Sequence, residues 1–287
     1  RSRIGFQLLE PNSNNCLTWL SAGAYSGIEP QGGAVVPDVG KIFHILEVLQ
    51  EHSQTGATNK EISGELGLPP STCCRILASL CKYNLVYKRP TDSRYFLGFA
   101  HLRFAQSILA TNNEAALCRP FLDDLYEELG ETVFYAKYNG SYCVVIDVRG
   151  SINTRIAVGL GELMPLHSSA AGKAVLAFIP DYERQKLYRR LQFDRYTDNT
   201  TVDVDELERQ LREIQLHHIS YNHSEYHEGV NAVATPVFNR YGTVVGSLAI
   251  VGTSASLNDE KMKAKGQKLL MAAKDISEQL IRGQLPC

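Results

Sequence analysis

Three polar side chains stand at the beginning of an amphipathic segment, and their types suit hydrogen bonding to a polar partner. Ser71, Thr72 and Arg75 fall within the first two turns of a predicted helix. Hydroxyl and guanidinium groups pair with base edges and with phosphate oxygens. Because a recognition helix presents its N-terminal residues to the major groove, the spacing predicts that these side chains contact double-stranded DNA.

The residues before this segment have the pattern of a helix-turn-helix. Thr58 is a good N-cap, with Glu61 as its capping-box partner. Gly67 permits a left-handed residue that ends the first helix, and Pro69-Pro70 prevents its continuation. Apolar residues at helical spacing then face a core in both helices, namely Ile62, Leu66, Ile76, Leu77 and Leu80.

A basic hairpin is predicted directly after the second helix. Two short alternating strands in residues 85–97 flank a Pro-Thr-Asp-Ser turn. This hairpin holds Lys88, Arg89 and Arg94, although the whole chain has a net charge of -2. A local excess of cations favours a phosphate backbone as the partner. We therefore predict phosphate contacts by these three cations. The alternative for the whole motif is a solvated helical hairpin with chance charges.

Length and composition favour two globular domains in a reducing compartment. The 287 residues suggest about two domains of ~150 residues each. No apolar run approaches the ~20 residues of a membrane-spanning helix, and no signal peptide pattern is present, so we expect a cytoplasmic protein without a membrane partner. The seven scattered cysteines form no C-x-x-C pair, which favours neither a disulfide framework nor a zinc finger.

The chain outside this motif divides into an arm, a connecting helix and a mixed domain. Residues 1–37, rich in Asn, Ser, Gly and Pro, predict a poorly ordered arm. The apolar stretch from Phe99 to Leu109 predicts a helix that joins domains or pairs with its copy in a homodimer. Pro120 is predicted to open a further helix, which Gly130 ends.

Beyond Gly130 the hydrophobic period changes to that of strands. Asn139-Gly140 is a strong hairpin signal, and a second hairpin surrounds Asn239–Gly242. An antiparallel sheet with helices inserted between its hairpins predicts an α+β domain. The predicted strands cover residues 132–138, 142–148, 155–158, 233–238 and 243–251, and the predicted helices lie near 169–179, 181–191, 203–217 and 259–281.

The segment Gly159–Ala177 is a candidate anion site. It leads from a Gly-rich strand exit to a helix whose first turn is Ser-Ala-Ala-Gly, where small residues leave backbone N–H groups exposed. A P-loop does not fit, because His167 stands where glycine is required and Ala174 follows Lys173. A Ser-x-x-Lys nucleophile is also absent. The alternative interpretation is a helix start packed tightly on a sheet.

Histidines are dense between residues 217 and 227. His223 and His227 are four apart, which would allow shared metal ligation on a helix. Asn222, Gly229 and the β-type neighbours favour a loop instead, and no thiolate joins the histidines. We therefore expect surface or structural histidines, with no metal and no cofactor.

These motifs, in this order, resemble those of IclR-family transcriptional regulators over roughly residues 38–283. The helix-turn-helix with Leu68–Thr72 and Arg75 is similar to the family's N-terminal domain, and Pro165–Ala174 is close to the family signature. Later blocks are similar as well, at Glu225–Val230 and Ala234–Val237.

The resemblance implies a particular domain order and assembly. It implies a winged helix-turn-helix over residues 38–97, a linker helix over 98–113 and a GAF-like effector-binding domain over 114–283. It also implies a homodimer, often assembled as a dimer of dimers, that acts as a repressor or an activator on operator DNA.

The resemblance further implies a small-molecule effector whose carboxylate is held by the backbone N–H groups of Ala170 and Ala171. Four positions that commonly carry Asp, Cys, Ser and Ser in regulators of small 2-oxo acids are here Asn222, Ala232, Ala249 and Val251. Together with Met164, these walls predict a carboxylate with an apolar or aromatic body rather than glyoxylate or pyruvate.

Two other functions remain open from the sequence. One is a DNA-binding oligomeric scaffold without a ligand. The other is an enzyme fused to a DNA-binding element that uses His167, Ser168 or Ser169, although no acid-base partner is placed by spacing. We expect a regulator rather than an enzyme.

Overall fold

The computed structural model describes residues 39–111, 113–150 and 158–282, without the side chain of Asn113. The chain divides into two compact units, with the boundary between His101 and Leu102. The predicted arm over residues 1–37 lies outside the described residues. So does most of the predicted strand over residues 155–158, and Val158 itself is not in a strand.

The first unit is a three-helix domain with a small hairpin. Its elements are α1 (Val39–Glu51), α2 (Asn59–Glu65), α3 (Pro70–Lys82), β1 (Val86–Lys88) and β2 (Tyr95–Leu97), and the two strands are antiparallel. The capping box is confirmed: the Thr58 hydroxyl accepts from Glu61 N, and the Glu61 carboxylate accepts from Thr58 N. Gly67 has φ +61°, as the turn requires. The apolar faces meet in a core that includes Ile45, Leu49, Ile62, Ile76 and Leu77.

Helix α4 (Ala100–Ala110) has no buried residue, and its apolar side chains Leu102, Phe104 and Ile108 are all exposed. Helix α5 (Asn113–Leu129) follows, and Gly130 ends it with φ +67°. The prediction that Pro120 opens this helix is wrong, because Pro120 lies inside it. Apolar side chains on both sides of the proline, such as Leu117 and Leu122, are buried. This burial outweighs the roughly 3 kcal/mol that an interior proline costs.

The second unit is built on a six-stranded sheet in the order β5-β4-β3-β8-β7-β6, with every pair antiparallel. Both predicted hairpins are present, and they join where Phe134 pairs with Ala249. The expectation of an α+β domain with an antiparallel sheet is therefore confirmed. The strands are β3 (Thr132–Tyr138), β4 (Cys143–Arg149), β5 (Leu163–Met164), β6 (Ser220–His223), β7 (Val230–Phe238) and β8 (Val244–Thr253).

Helices cover the two faces of this sheet. Helices α5 and α9 (Asp259–Arg282) pack on one face, where Val133, Leu248 and Ile250 are buried. Helices α6 (Ala170–Leu176) and α8 (Val204–His217) lie on the other face with Ala249, and α7 (Asp181–Tyr188) lies between them in the chain. None of the helices in the described part of the chain is long and apolar enough to span a membrane.

Strand β6 corrects one interpretation of the sequence. Residues near Asn222 were expected to form a loop, but Ser220–His223 pairs with β7, with Asn222 opposite Ala232. Pairing with the neighbouring strand β7 overrides the weak strand propensity of asparagine. The residues from 224 to 229 do form a loop, and Gly229 has φ +71°.

Candidate functional site

The outer face of α3 carries the three residues predicted to contact DNA. Ser71 and Arg75 are exposed and Thr72 is half-buried, while Ile76 and Leu77 are buried on the inner face. The N-cap, Pro69, makes no side-chain hydrogen bond, so the first turn of α3 is not capped by a side chain of its own. Polar side chains at an exposed helix start suit the edges of bases and phosphates.

Two further residues share this outer face. Cys74 and Ala78 are exposed and lie at i+3 and i+7 from Ser71, with Arg75 at i+4. Neither was singled out from the sequence, although the same helical spacing that places Arg75 also places them. We call the outer face formed by Ser71, Thr72, Cys74, Arg75 and Ala78 the α3 face.

The three cations of the hairpin differ in what they already bind. Lys88 is exposed and makes no ion pair with any described residue; its Nζ lies 5.4 Å from the centroid of the Tyr95 ring. Arg89 donates from Nε to Asp92 Oδ1 at 3.0 Å and lies over the Phe96 ring at 4.6 Å. That hydrogen bond lowers the pKa of Asp92 to about 2.

Arg94 ties the hairpin to the start of α2. Its Nη1 donates to the carbonyl oxygen of Gly56 at 2.7 Å, and both terminal nitrogens donate to the Glu61 carboxylate at 3.1 Å. Glu61 therefore completes the capping box and also holds Arg94. Of the three hairpin cations, Lys88 is the most available to a phosphate, because it makes no ion pair with any described residue. Arg94 is the least available, because its guanidinium group is hydrogen-bonded to Gly56 and Glu61.

A cavity of about 480 Å³ opens in the second unit between the start of α6 and the sheet. Six of the seven predicted effector residues line it: Met164, Ala170, Ala171, Asn222, Ala232 and Val251. Ala249 does not line the cavity, because it is fully buried in the layer between sheet and helices. The other apolar walls are Phe134, Val158 and Val230.

Two backbone donors face this cavity at the start of α6. Ser169 caps the helix: its hydroxyl accepts from Gly172 N at 2.9 Å and donates to Pro165 O at 2.7 Å. Within the described residues, no acceptor is bound to the N–H of Ala170 or of Ala171. Two unpaired donors at a helix start favour an anionic group on the ligand.

Asn222 lines the cavity, but its amide group is already used. Its Nδ2 donates to the carbonyl oxygen of Ser168, and its Oδ1 accepts from Glu225 N at 3.1 Å. The side chain is 3% exposed. Asn222 therefore joins strand β6 to the segment before α6 and offers a ligand little free hydrogen-bonding capacity.

Sequence reasoning missed the polar rim of the cavity. Glu162, Tyr226, His227 and Glu228 all line it, as does Ser169. Burial raises the pKa of Tyr226, and the nearby Glu162 adds to the effect. The block Glu225–Val230 is a recognisable motif in the sequence, but its position beside α6 depends on bonds between residues far apart in sequence, from Asn222 to Ser168 and from Lys173 to Glu225.

His167, Ser168 and Ser169, the residues considered for enzymatic chemistry, do not form a nucleophile and base pair. The His167 ring nitrogen Nε2 lies 3.0 Å from the carbonyl oxygen of Asp194, and the ring packs beside Phe193. The Ser169 hydroxyl belongs to the helix cap. The Ser168 hydroxyl is buried and has no hydrogen-bond partner in the described part of the chain. His167 is thus not hydrogen-bonded to either serine as a base would be.

The histidines near residue 220 do not converge on a common point. His223 ends β6, where its Nε2 lies 3.1 Å from Asp259 Oδ1, and His227 lies in the following loop against the Tyr226 ring. Within residues 39–111, 113–150 and 158–282, no group of three or more His, Cys, Asp or Glu side chains could hold a metal ion.

Comparisons with known proteins agree with both units. The model of the bacterial transcriptional regulator IclR C-terminal domain matches residues 106–278, and that of the IclR helix-turn-helix domain matches residues 39–90. The HTH-type transcriptional repressor AllR of Klebsiella pneumoniae is 29% identical over 238 residues, which cover 82% of this chain and 88% of that protein. AllR of Escherichia coli K12 is 27% identical over the same shares.

Solved structures share the architecture. The IclR protein of Thermotoga maritima matches with a TM-score of 0.69 at 24% identity, covering 85% of this chain and 98% of its own. An IclR transcriptional regulator from Alicyclobacillus acidocaldarius gives the same TM-score at 26% identity, with the same coverage.

Proposed function

The chain belongs to the IclR family of bacterial transcriptional regulators, and from this we propose that it represses transcription from operator DNA under the control of a small carboxylate effector. The relatives named above are transcriptional repressors, which favours repression over activation. The observation that carries the effector proposal is a cavity of about 480 Å³ lined by Ala170 and Ala171, whose backbone N–H groups have no acceptor among the described residues.

Operator recognition is assigned to the α3 face and the hairpin. Ser71, Thr72 and Arg75 are proposed to contact base edges, since they are accessible at the start of α3. Lys88 is proposed as the main phosphate contact of the hairpin. Arg89 and Arg94 keep part of their positive charge at the surface, so they add to the attraction while their guanidinium groups stay bound to Asp92 and Glu61.

Assembly into a homodimer, or a dimer of dimers, is part of the proposal. The exposed apolar side chains of α4, among them Leu102, Phe104 and Ile108, need a partner surface, and a second copy of the chain supplies one by two-fold symmetry. A dimer would place two α3 helices on the half-sites of a palindromic operator. The domain limits at residues 38–97, 98–113 and 114–283 are proposed with it.

The effector is proposed to have an apolar or aromatic body and one carboxylate. The carboxylate would accept from the N–H groups of Ala170 and Ala171. The body would contact Phe134, Met164 and Val251 along the apolar walls. Burying about 100 Å² of apolar surface contributes about 2.5 kcal/mol, which a two-carbon acid such as glyoxylate cannot obtain.

A ligand panel tests this proposal. The melting temperature of the full chain is measured with glyoxylate, pyruvate, benzoate and longer acyl carboxylates, and calorimetry then ranks those that stabilise it. We expect benzoate or an acyl carboxylate to bind at least about tenfold more tightly than glyoxylate, and to change operator affinity. Tighter binding of glyoxylate would show that the apolar walls do not select the effector.

The same panel separates the other functions. A ligand that is recovered unchanged indicates a sensor, whereas turnover indicates an enzyme. No stabilisation by any carboxylate, together with intact operator binding, would favour an oligomeric scaffold without an effector.

A further inference from the structure

A buried ion pair behind the cavity links the two elements that form its polar end. We propose that Lys173 and Glu225 act as a positioning pair, which holds the loop over residues 224–229 against α6 and so sets the effector affinity of the cavity. This inference rests on the proposed effector function. The loop carries three lining residues, Tyr226, His227 and Glu228.

The geometry of the pair is specific. The Lys173 ammonium donates to both carboxylate oxygens of Glu225, at 2.6 and 2.7 Å, and to Gln210 Oε1 at 3.0 Å. These three acceptors match its three protons. The Lys173 side chain is 2% exposed and that of Glu225 is 9% exposed. Burial lowers the pKa of Lys173, while the Glu225 carboxylate opposes this effect and favours the charged ammonium.

The positions of the two residues in the chain explain why their bond matters to the cavity. Lys173 lies within one turn of Ala170 and Ala171, whose N–H groups face the cavity. Glu225 immediately precedes Tyr226 on the rim. The bond therefore crosses from the anion-binding wall to the rim wall, and it fixes the distance between two groups that a single ligand must contact.

Of the two elements, α6 is the one held independently of the pair. A Cβ atom added to Gly172 would lie 2.1 Å from Pro165 O and 2.6 Å from Leu166 Cα, so the helix packs directly against the preceding backbone. Loss of the pair should therefore displace the loop rather than the helix. Without the pair, the loop would be held by neutral hydrogen bonds. At Glu225, the N–H donates to Asn222 and the carbonyl oxygen accepts from the Thr200 hydroxyl. At the two ends of the loop, Ser224 O accepts from the Thr197 hydroxyl and Gly229 O accepts from Ser254 N.

Stability alone does not account for a pair of this kind. Replacing a buried ion pair by apolar residues of similar volume is often neutral or stabilising, because desolvation offsets the attraction between the charges. What an apolar replacement loses is the fixed direction and length of the bonds. The geometry points to control of the loop position as the role of the pair.

The test is the double variant Lys173→Met/Glu225→Met of the full chain. Its melting temperature, its hydrogen exchange and its benzoate affinity by calorimetry are compared with those of the native chain. We expect the melting temperature to change by a few degrees at most, since the apolar pair is accommodated. The amides of Ser224, Glu225 and Val230 should exchange about tenfold faster, and benzoate should bind about tenfold more weakly.

The matched control is Arg184→Met/Glu208→Met. This pair is also largely buried, with Nε to Oε1 at 2.9 Å, but it joins α7 to α8, and neither of these helices supplies a residue to the lining of the cavity. The control should leave both the loop exchange and the benzoate affinity unchanged. If the first double variant fails to fold, Glu225→Gln keeps the volume and one acceptor, and the same loop amides should exchange about threefold faster.

The inference is overturned if the loop amides of the folded Lys173→Met/Glu225→Met protein exchange at the rate of the native chain. If only Glu225→Gln folds, an unchanged exchange rate in that variant overturns it. Faster exchange with unchanged benzoate affinity would also overturn it, since the loop would then not set affinity. If benzoate binds the native chain no better than glyoxylate, the proposed effector class is wrong. The exchange measurement still decides whether the pair positions the loop.

Discussion

The candidate DNA contacts of helix α3 lie within 13 consecutive residues, whereas the residues that line the cavity are spread along the sequence from Phe134 to Val251. The α3 face consists of exposed side chains whose chemistry is used directly. The cavity uses backbone N–H groups and small apolar side chains, which matter only because distant elements bring them together. Substitutions on the α3 face should therefore change binding with little effect on folding, while substitutions beneath the cavity should change folding first.

The largest effect is expected where α6 packs on the segment before it. Gly172→Ala places a Cβ atom 2.1 Å from Pro165 O, a contact that backbone must shift to relieve. We expect this variant to lose about 3 kcal/mol of unfolding free energy in the second unit, as measured by urea denaturation.

Gly67→Ala is the matched control in the first unit. Its φ is +61°, but a Cβ atom there meets nothing within 4 Å, so the cost is limited to about 1–2 kcal/mol of backbone strain. If Gly172→Ala proved no more destabilising than Gly67→Ala, the close approach of α6 would not be the feature that holds the cavity.

An intermediate effect is expected on the α3 face. Arg75→Ala should weaken specific operator binding by about 2 kcal/mol and leave nonspecific binding nearly unchanged, because a base contact is lost. Lys88→Ala should weaken both by about 1 kcal/mol and reduce the salt dependence by about one phosphate contact. Fluorescence anisotropy on operator and on random DNA at several salt concentrations measures the specific affinity, the nonspecific affinity and the salt dependence of each variant.

The melting temperature serves as the control for these two variants, since both side chains are exposed and it should not change. Footprinting that showed full operator protection by Arg75→Ala protein would remove α3 as the recognition helix. A large loss of stability in either variant would break the contrast between the two regions.

The smallest effect concerns the hairpin at acid pH. The hydrogen bond from Arg89 lowers the pKa of Asp92 from 3.8 to about 2 in the folded chain. A depressed folded pKa gives stability that is present above the unfolded value and is lost as pH falls through the folded value. In the native chain, the free energy of unfolding should therefore fall slightly as the pH is lowered from about 4 to about 2. In Asp92→Asn protein this contribution to the pH dependence should be absent.

Measurement of the Asp92 carboxyl by NMR titration checks the cause. A pKa near 3.8 in the native chain would mean that Arg89 is free of Asp92, and Arg89 would then be as available to phosphate as Lys88. The pair lies at the surface with both side chains partly exposed to solvent, so its effect on stability is expected to be slight.

Local sequence signals predicted most of the first unit. The capping box at Thr58, the left-handed Gly67 and the start of the second helix near Ser71 each depend on residues within a few positions of one another. Both hairpins of the sheet were predicted for the same reason, because their turn signals are local. The prediction at Pro120 was wrong, because Leu117 and Leu122 are buried in the core of the second unit and the helix therefore continues through a residue that usually starts or breaks one.

The sequence by itself determined most element types, the helix-turn-helix, the antiparallel hairpins and the small residues at the start of α6. These follow from capping, backbone freedom and hydrophobic period, which act over a few residues. Tertiary structure alone decided that Ala249 is sealed in the core while Val251 reaches the cavity, and that Arg94 is bound to Glu61. It also decided that Glu225, next to the lining residue Tyr226, is bound to Lys173 of α6. Such relations depend on how separate elements pack, and no short stretch of sequence encodes the distance between them.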